Sequence, residues 1–174
     1  MRTIESTCDP AFDRAVRAVW RQPADGGADS LADNPQPGRR PHLALAVCGR
    51  IAPDRLAAVG ELLFGALPLR VRPSGLLSFA ARSRRRVPAW GVAPGPELVD
   101  PHREAWRLPA DEPDPAPVYL PGRWMPDLGL TRRVEPDALA PAHRLLGRRP
   151  DLTGAFDAAR SFDADSRSTV PLGA

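Results

Sequence analysis

Two short runs of this chain carry an imidazole and a carboxylate at matching points. Pro-His-Leu-Ala-Leu, residues 41–45 within "PHLALAV", parallels Pro-Asp-Leu-Gly-Leu, residues 126–130 within "RWMPDLGLTRRV", position by position. Side chains alternate along a strand, so His42, Ala44 and Ala46 share one face while Leu43, Leu45 and Val47 share the other. In the second run Asp127, Gly129, Thr131 and Arg133 fall together, with Leu128 and Leu130 inward. If the two halves are pseudo-symmetric, the polar faces meet across a cleft with His42 opposite Asp127. An imidazole can give or take a proton near neutral pH, and a carboxylate can take one. Cys48 lies roughly 20 Å further along the first strand, too far for a Cys-His dyad within it. A metal between His42 and Asp127 would lack an identifiable third ligand, so neither a metal nor another cofactor is expected.

These two strands need a frame. "RTIEST" alternates and is β-branched, and it runs into Asp9-Pro10, an N-cap followed by proline at the first helical position. Phe12, Val16, Val19 and Trp20 then form one apolar stripe of about three helical turns. "HLALAV" follows a loop rich in Pro, Gly, Asp and Asn. "PDRLAAVGELLFGAL" gives a second helix with Leu56, Val59 and Leu63 on one face. "LPLRVR", "GLLSFAA" and "RVPAWGVA" read as three strands. Asp100-Pro101 repeats the cap-and-proline device before "HREAWRL", although Leu98 and Val99 could extend that helix upstream. "DALAPAHRLLG" reads as a short helix interrupted by Pro141 and closed by Gly147, and "GAFDAARSF" as a last strand. This mixture of hairpins and crossovers predicts a single α+β domain over residues 1–174, with two lobes, flexible loops at about 22–41 and 109–122, and a tail from about 165.

Composition narrows the classes. The chain has 22 Pro and 14 Gly, which favour turns and long connections over long helices. All 24 basic residues are Arg, and against 21 acidic groups the net charge is +3, too small to argue for nucleic acid by itself. Arg82, Arg84, Arg85 and Arg86 nevertheless form a local basic cluster. Cys8 and Cys48 have no paired spacing and are expected to be reduced and buried. With no apolar leader and no run of ~18 apolar residues, the chain is expected to be cytoplasmic, off the membrane, monomeric and without an obligate protein partner.

The order of these segments resembles the 2′-5′ RNA ligase-like family of the 2H phosphoesterase superfamily. The likeness rests on "PHLALAV", "GLLSF", "VPAWGVAPGPELVDPHREAWRL", "RWMPDLGLTRRV" and the closing "RSFD", and it spans nearly the whole chain. Members typically carry two His-x-Thr/Ser motifs, the second often in a Trp-x-Pro-His-x-Thr-Leu setting, which Trp124, Pro126 and Leu130 keep. The resemblance implies a bilobal, pseudo-symmetric α+β fold, two mainly antiparallel sheets flanking a central cleft with helices outside. It also implies action on RNA ends or cyclic phosphodiesters. In such a site the two histidines divide the acid and base work, and the hydroxyls donate to phosphate oxygens.

Here His42 matches the first histidine, but Ala44 replaces the first hydroxyl, and Asp127 and Gly129 replace the second histidine and hydroxyl. A carboxylate of ordinary pKa is ionised at pH 7, so it is a poor general acid and repels phosphate. Losing one of two acid-base groups typically costs ~10²–10⁴-fold in rate. Thr131 shares the face of Asp127 but sits roughly 7 Å past the lost hydroxyl, and Arg133 would bring positive charge near the cleft. His102 and His143, in helical context, begin no His-x-Thr motif. The expected function is a degenerate site with lost or reduced phosphodiesterase activity, still binding RNA ends, cyclic nucleotides or another phosphorylated small molecule. The alternative is an altered enzyme with His42 as acid and Asp127 as base.

Overall fold

The computed structural model describes residues 1–22, 30–32, 38–108, 114–147 and 152–173. Much of the two loops expected to be flexible, at 23–29, 33–37 and 109–113, lies outside the described residues. The first lobe is built on β1 (Arg2–Cys8), β2 (His42–Cys48), β3 (Leu69–Val71), β7 (Gly154–Asp163) and β8 (Ser168–Leu172). Its strands run β2-β1-β7-β3, with β8 also paired to β7, and every pairing is antiparallel. The second lobe is the antiparallel sheet β4 (Pro73–Ala80), β5 (Arg86–Val92) and β6 (Asp127–Gly129), in that order. The two strands that carry His42 and Asp127 are therefore terminal strands of different sheets, and they lie against each other.

Helices cover the sheets. α1 (Pro10–Arg21) starts where the sequence predicts: Asp9 accepts from the N–H groups of Ala11 and Phe12 at 2.9 Å and from that of Ala155 at 2.8 Å, tying the helix start to β7. Phe12, Val16, Val19 and Trp20 are all buried. α2 (Pro53–Ala66) buries Leu56, Val59 and Leu63 as expected. α3 (Pro96–Arg107) begins before the Asp100-Pro101 signal, with Pro101 inside it. The reason is the stripe Leu98, His102, Ala105 and Trp106, all buried, whose burial outweighs the one backbone hydrogen bond a proline removes. α4 (Pro136–Leu146) likewise tolerates Pro141 and packs against β5, where the Trp90 indole donates to the Leu146 carbonyl at 3.3 Å.

Three sequence readings are corrected. "RWMPDLGLTRRV" is a strand only at 127–129; beyond it Thr131 and Val134 make single bridges to Ser30 and Arg86. The chain end adds β8, a strand that its proline and polar residues disguised. The first motif strand does not alternate throughout: Ile4 pairs with Ala46 and Glu5 with Ala44, so Leu45 is an extra residue in β2. This bulge turns Ala46 and Cys48 into the core and puts Val47, in place of Ala46, on the face of His42 and Ala44. Cys8 and Cys48 are free and buried, and burial pushes the Cys8 thiol up to about 12. Among the described residues no helix is long and apolar enough to cross a membrane.

The meeting of α1 and β7 leaves no spare room. A Cβ added to Gly154 would come 2.2 Å from the ring of buried Phe12. Gly154→Ala should cost about 2 kcal/mol and lower Tm by about 4–8 °C in a thermal melt.

Candidate functional site

The register builds the floor of the cleft. Residues opposite each other in an antiparallel pair share a face. Three rows therefore cross the first sheet toward the cleft: His42, Thr7 and Ala158; Ala44, Glu5 and Arg160; Val47, Thr3 and Phe162. Glu5 is almost fully buried, with 3% of its side chain exposed. One carboxylate oxygen pairs with the Arg160 Nε, and the other lies 3.2 Å from the His42 Nε2. The His42 Nδ1 lies 2.7 Å from the Arg40 carbonyl, so both ring nitrogens face acceptors. Arg160 in turn donates to the Gly38 carbonyl at 2.8 Å, where φ is +73°.

The opposite wall comes from the second sheet. Asp127 pairs with Gly91 and Gly129 with Ala89, and beyond the strand's end Thr131 is fully enclosed, its hydroxyl donating to the Arg132 carbonyl at 2.8 Å. A cavity of about 150 Å³ is lined by His42 and Ala44 from one sheet and Asp127, Gly129 and Thr131 from the other, with Tyr119 between them. An adjoining cavity of about 210 Å³ shares His42, Ala44, Arg39 and Tyr119 and reaches Glu5, Arg160 and Phe162. The two motif strands thus bring His42 and Asp127 to one cleft. Arg133 lies apart, in a neighbouring groove that shares Thr131 and Arg39 with the smaller cavity.

Burial changes the acid-base character expected of Asp127. Desolvation pushes its carboxyl up to about 6. The Tyr119 phenol is raised by burial and then by the charges of Asp127 and Glu5, while burial lowers the Arg39 guanidinium, helped by Arg132 and opposed by Glu5. Among the described residues no three His, Cys, Asp or Glu side chains gather as a metal site.

Two indoles fix the width of the cleft. Trp124, just before β6, donates to the Ala44 carbonyl at 3.0 Å, and Trp20, at the end of α1, donates to the Gly129 carbonyl at 2.9 Å. Each indole thus bonds the equivalent carbonyl of the other lobe's motif strand. His102 stacks on Trp124 with ring centres 3.8 Å apart and bonds the Tyr119 carbonyl at 2.9 Å through Nε2. Burial lowers its pKa, which makes it a neutral support behind the cleft. Glu5, Arg39, Arg160 and Tyr119 were not among the residues picked from sequence, because only cross-strand register and a loop turn bring them to His42.

No family model matches the chain, and no curated protein matches it in sequence. Among solved structures it resembles Usb1 of Kluyveromyces marxianus, with a TM-score of 0.53 at 11% identity over 98% of this chain and 96% of that one. The fold is shared with that protein over nearly the whole of both chains. The bilobal α+β architecture expected from sequence, with two antiparallel sheets, is the one observed.

Two stability predictions follow from the site. The folded state holds the Asp127 proton to about pH 6, whereas the unfolded chain releases it near pH 4, so stability falls as pH rises through that window. The loss is at most about 3 kcal/mol, and less to the extent that the open side of the half-buried carboxyl stays wet. Asp127→Asn should match the parent at pH 4 and exceed it in urea midpoint above pH 6. Glu5→Ala should cost about 3 kcal/mol by leaving Arg160 buried and unpaired, while Glu5→Leu combined with Arg160→Met should recover most of that loss in the same urea titration.

Proposed function

We propose that this cleft binds the phosphorylated end of an RNA strand or a cyclic nucleotide, with family-type phosphodiesterase chemistry lost or strongly reduced. One observation carries the reading: the facing strands keep the cavity, but the side chains that would grip a phosphate there have been cut back. Ala44 presents a methyl group and Gly129 no side chain, and their carbonyls are already bonded to indoles. The guanidinium groups of Arg39 and Arg160 line the adjoining space beside His42 and give an anion a reason to enter. Glu5, however, occupies the His42 Nε2, the nitrogen a leaving oxygen would need. The chain, read as one functional domain, then acts as a binding module with no cofactor.

A second reading is favoured by the acidity of Asp127. A base whose conjugate acid titrates at about 6 is mostly ionised at pH 7 yet stronger than an ordinary carboxylate. Asp127 would take a proton from water as the water oxygen bonds to phosphorus, and the bond to one ribose oxygen would break as His42 protonates that oxygen.

Purified protein given 2′,3′-cyclic nucleotides separates the two readings. Binding with little turnover is expected, and His42→Ala should weaken the binding; turnover that His42→Ala abolishes would instead establish the enzyme. Leu31 would lie 3.8 Å from a Cβ at residue 129, ordinary contact distance, so a β-carbon fits there. Ala44→Thr, Asp127→His and Gly129→Thr together should therefore raise hydrolysis by at least about 10²-fold, the usual worth of one acid-base group. A folded triple variant with no gain would show that the pocket itself no longer suits the reaction.

A further inference from the structure

The arginine cluster at 82–86 is remote in sequence from either motif, yet the fold carries one of its members, Arg85, to the rim of the site. The His42–Asp127 cavity opens onto a groove of about 440 Å³ with which it shares Arg39, Val87 and Thr131. Arg85, Arg132 and Arg133 line that groove. Arg85 also borders a separate groove of about 410 Å³ on the α4 side of the sheet, lined by Arg84, Arg86, Pro136 and Leu139. No acidic side chain lines either groove among the described residues; Glu135 pairs with Arg85 at their margin. Arg84, Arg86, Arg132 and Arg133 are exposed.

An apolar strip runs beside this track. Val87 lines both the cavity and the first groove, and Phe79 is its direct cross-strand partner, with Leu77 opposite Ala89 in the next row. Opposed residues share a face, so Phe79 and Leu77, both half-buried, stand on the side of the sheet that faces the cleft. Cations that follow a path, with an aromatic ring beside them, match an extended chain of phosphates carrying flat bases. A single nucleotide would fill the cavity and leave the track unused.

We propose that the track from Arg39 through Arg132 and Arg133 to Arg85 holds several backbone phosphates of a single-stranded nucleic acid whose end sits in the His42–Asp127 cavity. This rests on the phosphate-binding reading of the cleft and names its occupant as a strand. Each phosphate neutralised releases condensed counterions, so the number of contacts can be read from salt dependence.

The test is fluorescence anisotropy with the full chain, comparing a labelled 3′-phosphorylated RNA of about ten nucleotides with a 3′-phosphorylated mononucleotide across a salt series. The strand should bind at least about tenfold more tightly at low salt, with log K falling against log salt at a slope of about −3 to −4 and the mononucleotide at about −1. Arg132→Ala and Arg133→Ala, both at exposed positions, should each make the strand's slope shallower by about 0.7 while hardly touching the mononucleotide. Phe79→Ala should weaken the strand but not dextran sulfate, which has charge without bases. Equal affinity and equal shallow slopes for strand and mononucleotide would overturn the track and leave the cleft reading standing. Dextran sulfate competing as well as RNA, with Phe79→Ala silent, would overturn it in favour of a general polyanion surface. If no phosphorylated probe binds at any salt, the cleft reading fails together with the track.

Discussion

The cleft depends on a reciprocal exchange of two hydrogen bonds between lobes. A terminal strand leaves every second carbonyl without a partner in its own sheet, and an unpaired backbone group in a closed interface is costly. In β2 the Ala44 carbonyl is taken by the indole of Trp124, and in β6 the Gly129 carbonyl is taken by the indole of Trp20. Each bond is worth only about 1 kcal/mol net. Their value lies in geometry: rigid rings on opposite lobes fix the separation of the two strands and therefore the distance between the side chains that precede those carbonyls. Trp124 is further braced by its stack on His102, which itself holds the turn bearing Tyr119.

Because indoles and backbone carbonyls set the frame, the frame does not depend on the motif side chains. Residues 42, 44, 127 and 129 can change their chemistry while the strands that carry them stay in place. That independence accounts for a cavity that persists with only a methyl group at Ala44 and no side chain at Gly129, between His42 on one wall and Asp127 on the other. It also explains why Glu5 matters more than its place in an unremarkable strand implies. The carboxylate holds both His42 and Arg160, so it adds a negative charge to the floor and at the same time orders an imidazole and a guanidinium beside it.

The parts of this arrangement legible in sequence were those set by local periodicity and capping. Asp9-Pro10 marked the start of α1, and the stripes Phe12/Val16/Val19/Trp20 and Leu56/Val59/Leu63 marked the buried faces of two helices. The placing of His42 and Asp127 along one cavity was legible too, because two strands repeated one pattern. What stayed hidden was set by partners distant in the chain. The bulge at Leu45 arises from register with β1, and nothing in "HLALAV" announces it. The start of α3 at Pro96 was masked by a stronger local signal at Asp100-Pro101, which burial of Leu98 overrode. Asp127 reads from sequence as an ordinary ionised carboxylate; only enclosure alters it.

That last change bears on how the proposed anion could be held beside Ala44 and Gly129, which offer no hydroxyl. A carboxyl that titrates at about 6 in the empty cavity carries a proton in roughly one molecule in ten at neutral pH. A phosphate seated beside it adds a like charge, which favours the protonated form further. Asp127 would then meet the ligand as a neutral O–H donor. The repulsion expected of an aspartate in a phosphate site is thus largely removed by the uptake of a single proton. Binding in this cleft would draw that proton from solvent near neutral pH and would weaken as pH rises, because above pH 7 the proton becomes progressively harder to supply.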